Sequence, residues 1–241
     1  MRVPIVEYPQ IVRQNLPQFQ QVFANKNQVK HFCEYVTGLM AGDKATIKVI
    51  NNLFLNKNDQ SALNKFLTRA SWDESDLNYR RIQYELERLN RRPISAKAGR
   101  LIIDDTLAHH TKCSIDWLAY LLDHTVGRNV WAHNVITSYY VNRSDQFPVD
   151  FRLYLQFNRK YEDAQLQKQV TKLHSDGGLN AYRQYLTALL SYHFRQQAYR
   201  PKTELAAELV QQAVQWNLLF NVVLFDSWFL RRTLISVLEQ F

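Results

Sequence analysis

The spacing of apolar residues along the chain changes near Gly99. Before this point apolar positions recur every three or four residues, as in NQVKHFCEYVTGLMA, where Val29, Phe32 and Val36 fall on one face of a helix. After it, short runs rich in β-branched and aromatic residues are typical of strands. The pattern therefore predicts an N-terminal helical region followed by a β-sheet.

Four runs from residue 100 onward predict consecutive strands: RLIIDDT, SIDWLAYLLDH, NVWAHNVITSYYV and VDFRLYLQF. The polar segments VGRN and NRSDQFP between them are typical of turns. Strands in sequence with short turns favour an antiparallel meander. In the fourth run, Phe151 and Leu153 alternate with Arg152 and Tyr154, which is the pattern of a half-exposed strand.

The rest of the chain predicts helices around one further strand. Residues 160–200 are polar and favour helices on both sides of Gly177 and Gly178, as an insertion after the meander. The segment TELAAELVQQAVQWN has the apolar spacing of an amphipathic helix. It is followed by NVVLFDSWF, an apolar strand that ends in Asp226, and by a last helix from about Trp228.

The first 92 residues carry two further local signals. The segments KATIKVINNLFL and QSALNKFLTRA flank a four-residue polar turn, NKND, and resemble a helix-turn-helix, as any helical hairpin would. Ser71 and Glu74 have capping-box spacing, which predicts the start of a helix. That helix must end by Arg92, because Pro93 disfavours helical geometry in the residue before it.

The composition excludes several classes of protein. With 241 residues, 46% of them apolar, the chain can bury a sizeable core. Cys33 and Cys113 are its only cysteines, which argues against a structural zinc site or a disulfide framework and favours a reducing compartment. The longest apolar run, LLFNVVLF, is too short to span a bilayer, and the first residues do not form a signal peptide. We therefore expect a soluble, cytoplasmic protein without a membrane segment.

The net charge of +8 is concentrated in the first 100 residues, which carry +7, whereas residues 101–241 carry +1. This asymmetry predicts an N-terminal region that binds a polyanion, and the alternative is a basic surface that only keeps the protein soluble. Residues 77–100 alone hold seven basic and two acidic side chains. The candidate DNA contacts are Arg80, Arg81, Arg88, Arg91 and Arg92, with Lys57 and Lys65 near the NKND turn.

Two carboxylates stand at the ends of apolar strands. Asp105, with Asp104 beside it, follows RLII, and Asp226 follows NVVLF. If these two strands are neighbours, both carboxylates emerge at one edge of the sheet, where ligand sites tend to form. Oxygen ligands of this kind suit Mg²⁺ or Mn²⁺, which can activate water for phosphodiester chemistry. The simpler alternative is that each Asp caps the turn that follows it.

Other candidate sites have less support. The four histidines of the sheet region lack the spacing of a metal cluster, and core or solvent-facing positions explain them better: His109, His110, His124 and His133. With six glycines and no Gly-rich phosphate loop, the chain is not a P-loop nucleotide hydrolase.

Three segments resemble the DDE-type transposases of bacterial insertion sequences: LIIDDTLAHHTK, VWAHNVITSYY and TELAAELVQQAVQWNLLFNVVLFDSWF. The resemblance implies a ribonuclease-H-like core in which Asp105 is the first catalytic acid and Asp226 the second. Asp104 is the alternate to Asp105, because strand alternation alone does not say which of the two faces the site. It also implies Mg²⁺ (or Mn²⁺) as cofactor, double-stranded DNA with terminal inverted repeats as partner, a homodimer on that DNA, and association with the nucleoid.

The chain departs from this family after Asp226. The family's third acid is a Glu on a later helix, whereas only residues 227–241 follow here and Glu239 is their only carboxylate. The expected fold is mixed α/β, with a basic all-α DNA-binding region at 1–98. A ribonuclease-H-like sheet with flanking helices follows at 99–241, incomplete at the C-terminus. The expected activity is metal-dependent cleavage of element ends and strand transfer. The alternative is a non-catalytic remnant that occupies those ends or inhibits active transposase.

Overall fold

A computed structural model gives the fold and describes residues 3–56, 59–90, 99–111, 115, 117–143 and 145–240. The chain divides into two compact units, residues 1–93 and residues 94–241. The first contains helices, and the second contains one mixed five-stranded sheet with flanking helices. The predicted fold class, a helical region followed by a mixed α/β region, is confirmed.

The described part of the first unit is helical apart from a single bridge between Ile5 and Phe54. Its helices are α1 (Gln10–Phe19), α2 (Lys26–Ala41), α3 (Ile47–Asn52), α4 (Gln60–Arg69) and α5 (Glu74–Asn90). A core cluster joins Ile50 of α3 and Leu63 and Phe66 of α4 to Phe23 and Phe54, which lie between helices, and side chains of α2 and α5 pack against it. Trp72 stacks on Phe66 with 5.7 Å between the ring centroids and so joins the α4–α5 connection to this core.

Two local predictions in this unit are wrong. Asp73 caps α5 instead of Ser71, and its Oδ1 accepts a hydrogen bond of 2.8 Å from the Ser75 backbone N–H. Helix α3 ends at Asn52 and α4 begins at Gln60, so the connection is longer than the predicted four-residue turn. It is also longer than the three or four residues typical of a helix-turn-helix.

The sheet of the second unit is built around one long central strand. Its strands are β1 (Arg100–His109), β2 (Ala119–Asp123), β3 (Arg128–Val141), β4 (Gln146–Tyr154) and β5 (Val222–Phe225). β3 pairs antiparallel with β1, β2 and β4. The predicted meander therefore holds for β2, β3 and β4 but is wrong for β1, whose neighbours are β3 and β5.

The short strand β5 lies parallel to β1, with Arg100 opposite Val222 and Ile103 opposite Phe225. The approach of the two strands requires a glycine just before β1. A methyl group on Gly99 would lie 2.4 Å from the carbonyl oxygen of Leu219, and the Asn221 N–H donates to the Gly99 carbonyl at 3.0 Å. Because Gly99 has no side chain, the segment before β5 packs directly on the backbone that leads into β1.

Helix α8 (Lys202–Gln215) covers one face of the sheet. Its buried side chains form the predicted apolar stripe: Leu205, Ala206, Ala207, Leu209, Val210 and Ala213. Arg152 of β4 also points to this side, where its guanidinium donates to Gln212 Oε1 of α8 at 2.7 Å. Burial of the α8 stripe supplies the apolar contact that attaches the helix to the sheet.

The half-exposed character of β4 is as predicted, but in its second half the apolar side chains are the exposed ones. Phe151 is 57% exposed and Leu153 is 48% exposed, whereas Arg152 between them faces α8. The sequence alternation was correct, but it contains no information about which face of the sheet a helix covers.

Helices α6 (Arg159–Asp176) and α7 (Leu179–Ala198) form an antiparallel pair on either side of Gly177 and Gly178, as predicted. Gly177 has φ +58°, the left-handed conformation that lets α6 end at this point. Arg195 donates to Glu162 at 3.0 Å, and Tyr192 donates to Asp163 at 2.6 Å. These contacts link the two helices side by side.

The chain turns sharply after β5. A 3₁₀ turn spans Ser227–Phe229, and α9 (Arg232–Leu238) follows it. The last helix therefore begins later than the expected start near Trp228, because Asp226 caps the intervening turn. Across the described ranges, no helix combines the length and apolar character that crossing a membrane requires.

The packing of α8 predicts a large effect of Leu209→Ala. Leu209 is 0% exposed, so its truncation leaves a cavity and lowers the free energy of unfolding by about 2–5 kcal/mol. The matched control is Leu190→Ala in α7, where the side chain is 70% exposed and the expected change is within about 0.5 kcal/mol. Urea unfolding followed by circular dichroism measures both. Equal effects of the two substitutions would show that α8 does not pack as described.

Candidate active site

Asp104 and Asp105 point to opposite faces of the sheet. Asp105 shares its face with the buried residues Leu101 and Ile103, because side chains alternate along a strand. Asp104 is exposed on the other face, and its Oδ1 accepts a hydrogen bond of 2.8 Å from the Asp105 backbone N–H. Of the two neighbours, Asp105 is the one on the side that α8 covers.

Two donors hold the Asp105 carboxylate. Lys202 Nζ lies 2.6 Å from Asp105 Oδ2, and Asn134 Nδ2 of β3 donates to the same oxygen at 3.2 Å. The amide oxygen of Asn134 is buried and accepts no hydrogen bond within the described part of the chain. A buried acceptor of this kind costs free energy until a donor or a cation reaches it. The Asn134 oxygen is therefore suited to a ligand that approaches Asp105.

Asp105 does not end its strand as expected, because β1 continues to His109. Asp226 does: it directly follows Phe225, which pairs with Ile103 in the parallel ladder between β5 and β1. Its Oδ1 accepts hydrogen bonds from Ser227 Oγ at 3.1 Å and from the Trp228 N–H at 3.4 Å. β1 and β5 are neighbours, as expected. Asp226 also caps the turn that follows it, which is the simpler alternative that the sequence left open.

Lys202 is the residue that sequence reasoning missed. It is the first residue of α8, and its ammonium lies 5.2 Å from the Tyr154 ring centroid and 5.1 Å from that of Trp228. Its side chain is 16% exposed. The available signal was that Lys202 is the only basic residue between 201 and 230, at the start of a helix, where an acidic residue is preferred.

Tyr154 forms one wall of this site. Burial raises the pKa of its hydroxyl to about 12, and the neighbouring Tyr199 adds to the increase. The phenol therefore stays neutral over the range in which most proteins function. Together with Trp228 it gives the Lys202–Asp105 pair aromatic surroundings in place of water.

Three of the four histidines of the sheet region make side-chain contacts with residues other than the catalytic candidates. His109 Nε2 is 2.7 Å from Asp123 Oδ2, and His110 Nε2 is 2.9 Å from His133 Nδ1. The Thr125 backbone N–H, which donates to Asp123, is the main reason that the pKa of this carboxyl is lowered. The contact to His109 lowers it further. The Asp123 contacts stabilise the turn between β2 and β3.

Three side chains around β1 and β5 offer oxygen atoms of the kind that Mg²⁺ prefers. They are the carboxylates of Asp105 and Asp226 and the buried amide oxygen of Asn134. Within the described ranges no three His, Cys, Asp or Glu side chains group closely enough to hold a metal ion. Glu239 is exposed where α9 ends. The carboxylate and amide oxygens are thus of the type that a divalent cation takes as ligands.

The basic candidates of the first unit are largely engaged by neighbouring side chains. Arg80 contacts Asp76 at 3.1 Å, Arg81 donates to Asn78 at 2.7 Å, and Arg88 lies 3.4 Å from Glu85. Lys65 is exposed on α4. Three other candidates, Lys57, Arg91 and Arg92, lie outside the described residues.

A family model described as DDE superfamily endonuclease matches residues 18–241. The matched range includes Asp105, Asp226 and Lys202. Neither a curated protein nor a solved structure matches the chain.

The raised pKa of Tyr154 predicts a late titration. Wild type and Tyr154→Phe should show the same tyrosinate absorbance up to about pH 11, since Tyr154 ionises only near its pKa of about 12. Above that pH the wild type should gain the absorbance of one additional tyrosinate. A difference between the two proteins near pH 10 would show that Tyr154 is in contact with water.

Proposed function

Because the chain belongs to the DDE superfamily endonuclease family, we propose that it is the transposase of an insertion sequence. Its reaction would be the metal-dependent cleavage of DNA at the element's ends, followed by strand transfer. The observation that carries this proposal is the placement of Asp105 within β1 and of Asp226 directly after β5, the strand that pairs in parallel with β1.

Each residue of the site has a stated role in this proposal. Asp105 and Asp226 hold Mg²⁺ (or Mn²⁺), and the Asn134 amide fixes the orientation of the Asp105 carboxylate through its 3.2 Å hydrogen bond. A bound divalent cation supplies charge stabilisation and water activation for phosphodiester cleavage. The 3₁₀ turn fixes the orientation of Asp226 through the bonds from Ser227 and Trp228. Asp104 faces away and is not assigned to the metal.

The proposed partner is double-stranded DNA with terminal inverted repeats, bound by a homodimer. The excess positive charge of residues 1–100 supports this, because phosphate contacts from Lys and Arg supply most of the affinity for DNA. Such a protein would act on the nucleoid.

Cleavage is tested by Asp105→Asn and Asp226→Asn in the full chain. We expect each substitution to slow nicking of a plasmid that carries the DNA flanking this coding sequence by roughly a thousandfold, since each removes a charged ligand. Binding of the same DNA should change less than about threefold, because the contacts that dominate affinity are phosphate contacts elsewhere. Asp104→Asn is the matched comparison and should keep its activity.

The outcomes separate the candidate functions. Loss of cleavage in Asp104→Asn but not in Asp105→Asn would exchange the roles of the two neighbours. Specific binding of the flanking DNA without cleavage by the wild type, with any divalent cation, would support the non-catalytic, end-occupying protein instead.

The DNA-binding role of the basic helix predicts a change in salt dependence. Arg81 and Arg88 lie on α5, and Arg92 lies outside the described residues. The three are spaced by seven and four residues, which would place them on one face of a helix. Replacing all three by Ala should weaken binding to every DNA sequence about equally and flatten the slope of log K against log salt by roughly 2–3. Titrations at several salt concentrations measure the slope.

The control replaces basic residues of another helix by the same method, with Lys168→Ala and Lys172→Ala on α6. An unchanged slope in the α5 triple variant would leave its basic face with a solubilising role only. The DNA contact would then be sought around Lys57 and Lys65.

A further inference from the structure

We propose that Lys202 is a built-in counter-cation of Asp105, which a divalent metal ion must displace before it can bind. Lys202 would thereby set the metal affinity of the site. This inference rests on the proposed function, because it assigns to Asp105 the role of metal ligand.

The contact between the two residues is direct and sheltered. Lys202 Nζ and Asp105 Oδ2 are 2.6 Å apart, and the side chains are 16% and 30% exposed. Ion pairs at the surface contribute little, whereas partly buried ones are screened less by water and salt. The rings of Tyr154 and Trp228, each about 5 Å from the ammonium, add cation–π attraction.

The position of Lys202 is unfavourable for its own helix. As the first residue of α8 it places a positive charge at the end of the helix where the dipole is already positive. The helix therefore does not explain why a lysine stands at this position, whereas its contacts with Asp105, Tyr154 and Trp228 do. A polar uncharged residue or an acid at this position would suit α8 better.

A divalent cation competes for the same oxygen. Asp105 Oδ2 already accepts from Lys202 and from Asn134. A metal ion that coordinates this carboxylate brings a second positive charge against the ammonium, and the two repel each other. Since the lysine side chain has four flexible carbons, the ammonium can move away from Asp105 while its stem remains in place. Metal binding thus includes the free energy of breaking the pair.

The same pair supplies the counter-charge of Asp105 in the absence of metal. A partly buried carboxylate without a neighbouring cation is costly. Lys202 contacts Asp105 directly and also lies over Trp228, two residues after Asp226. It neutralises Asp105 on the strand that pairs with β5.

The test measures Mn²⁺ binding to the full-length protein by electron paramagnetic resonance. We expect Lys202→Met to bind Mn²⁺ about tenfold more tightly than wild type, because it keeps the aliphatic stem but removes the competing charge. Lys202→Arg retains the charge and should stay within about threefold of wild type. Lys168→Met removes the same charge from the exposed surface of α6 and should leave the affinity unchanged.

A second measurement detects the counter-charge in the metal-free protein. Without metal, Lys202→Met should melt at a lower temperature than wild type, and saturating Mn²⁺ should raise its Tm by more than it raises that of wild type. A purely structural role of Lys202 would lower the Tm of Lys202→Met with and without Mn²⁺ by the same amount. That result would overturn the proposal.

Asp105→Asn distinguishes the failure of this inference from the failure of the proposed function. If Asp105→Asn weakens Mn²⁺ binding while Lys202→Met leaves it unchanged or weakens it, Lys202 is not a competitor and only the present inference is lost. If wild type and every variant, Asp105→Asn included, bind Mn²⁺ equally or not at all, Asp105 is not a ligand and the metal-dependent function is lost as well.

Discussion

The four-residue parallel ladder between β1 and β5 is the constraint on which the candidate site depends. It sets Ile103 opposite Phe225, so Asp226 follows this last pair by one residue and Asp105 by two, although the two residues lie in distant parts of the sequence. The ladder in turn requires Gly99, where any side chain would collide with the Leu219 carbonyl and the Tyr140 hydroxyl. The Tyr140 hydroxyl itself donates to the Leu219 carbonyl at 3.1 Å, which ties β3 to the segment before β5.

The second requirement is the packing of α8, which places its first residue beside Asp105. The buried stripe from Leu205 to Ala213 fixes the helix on the sheet, and the Arg152–Gln212 hydrogen bond at 2.7 Å fixes it against β4. Because α8 is held in this way, its first residue, Lys202, is positioned beside Asp105. The apolar packing of α8 thereby determines the contact between Lys202 and Asp105, because it fixes the helix that carries the lysine.

The sequence predicted the elements better than their arrangement. Helices and strands follow from local periodicity, and Asp105 and Asp226 could be singled out because each ends an apolar run. The outward orientation of Phe151 could not be predicted, since alternation is the same whichever face α8 covers. Lys202 lies 97 residues from Asp105, and no local pattern links them. Likewise, the sequence could not tell which of Asp104 and Asp105 faces the site, because this depends on which face of the sheet α8 covers.

The near-neutral charge of residues 101–241 is the sum of two unlike parts. Residues 156–200, which contain α6 and α7, hold seven basic and three acidic side chains, a net of +4. The remaining residues, 101–155 and 201–241, hold seven basic and ten acidic side chains, a net of −3. The near-zero total of this region is therefore the sum of a basic helical pair and an acidic remainder. Lys202 belongs to the acidic remainder, where it is the positive charge in contact with Asp105. A cation that approaches Asp105 meets a locally acidic part of the chain and must compete with this one lysine.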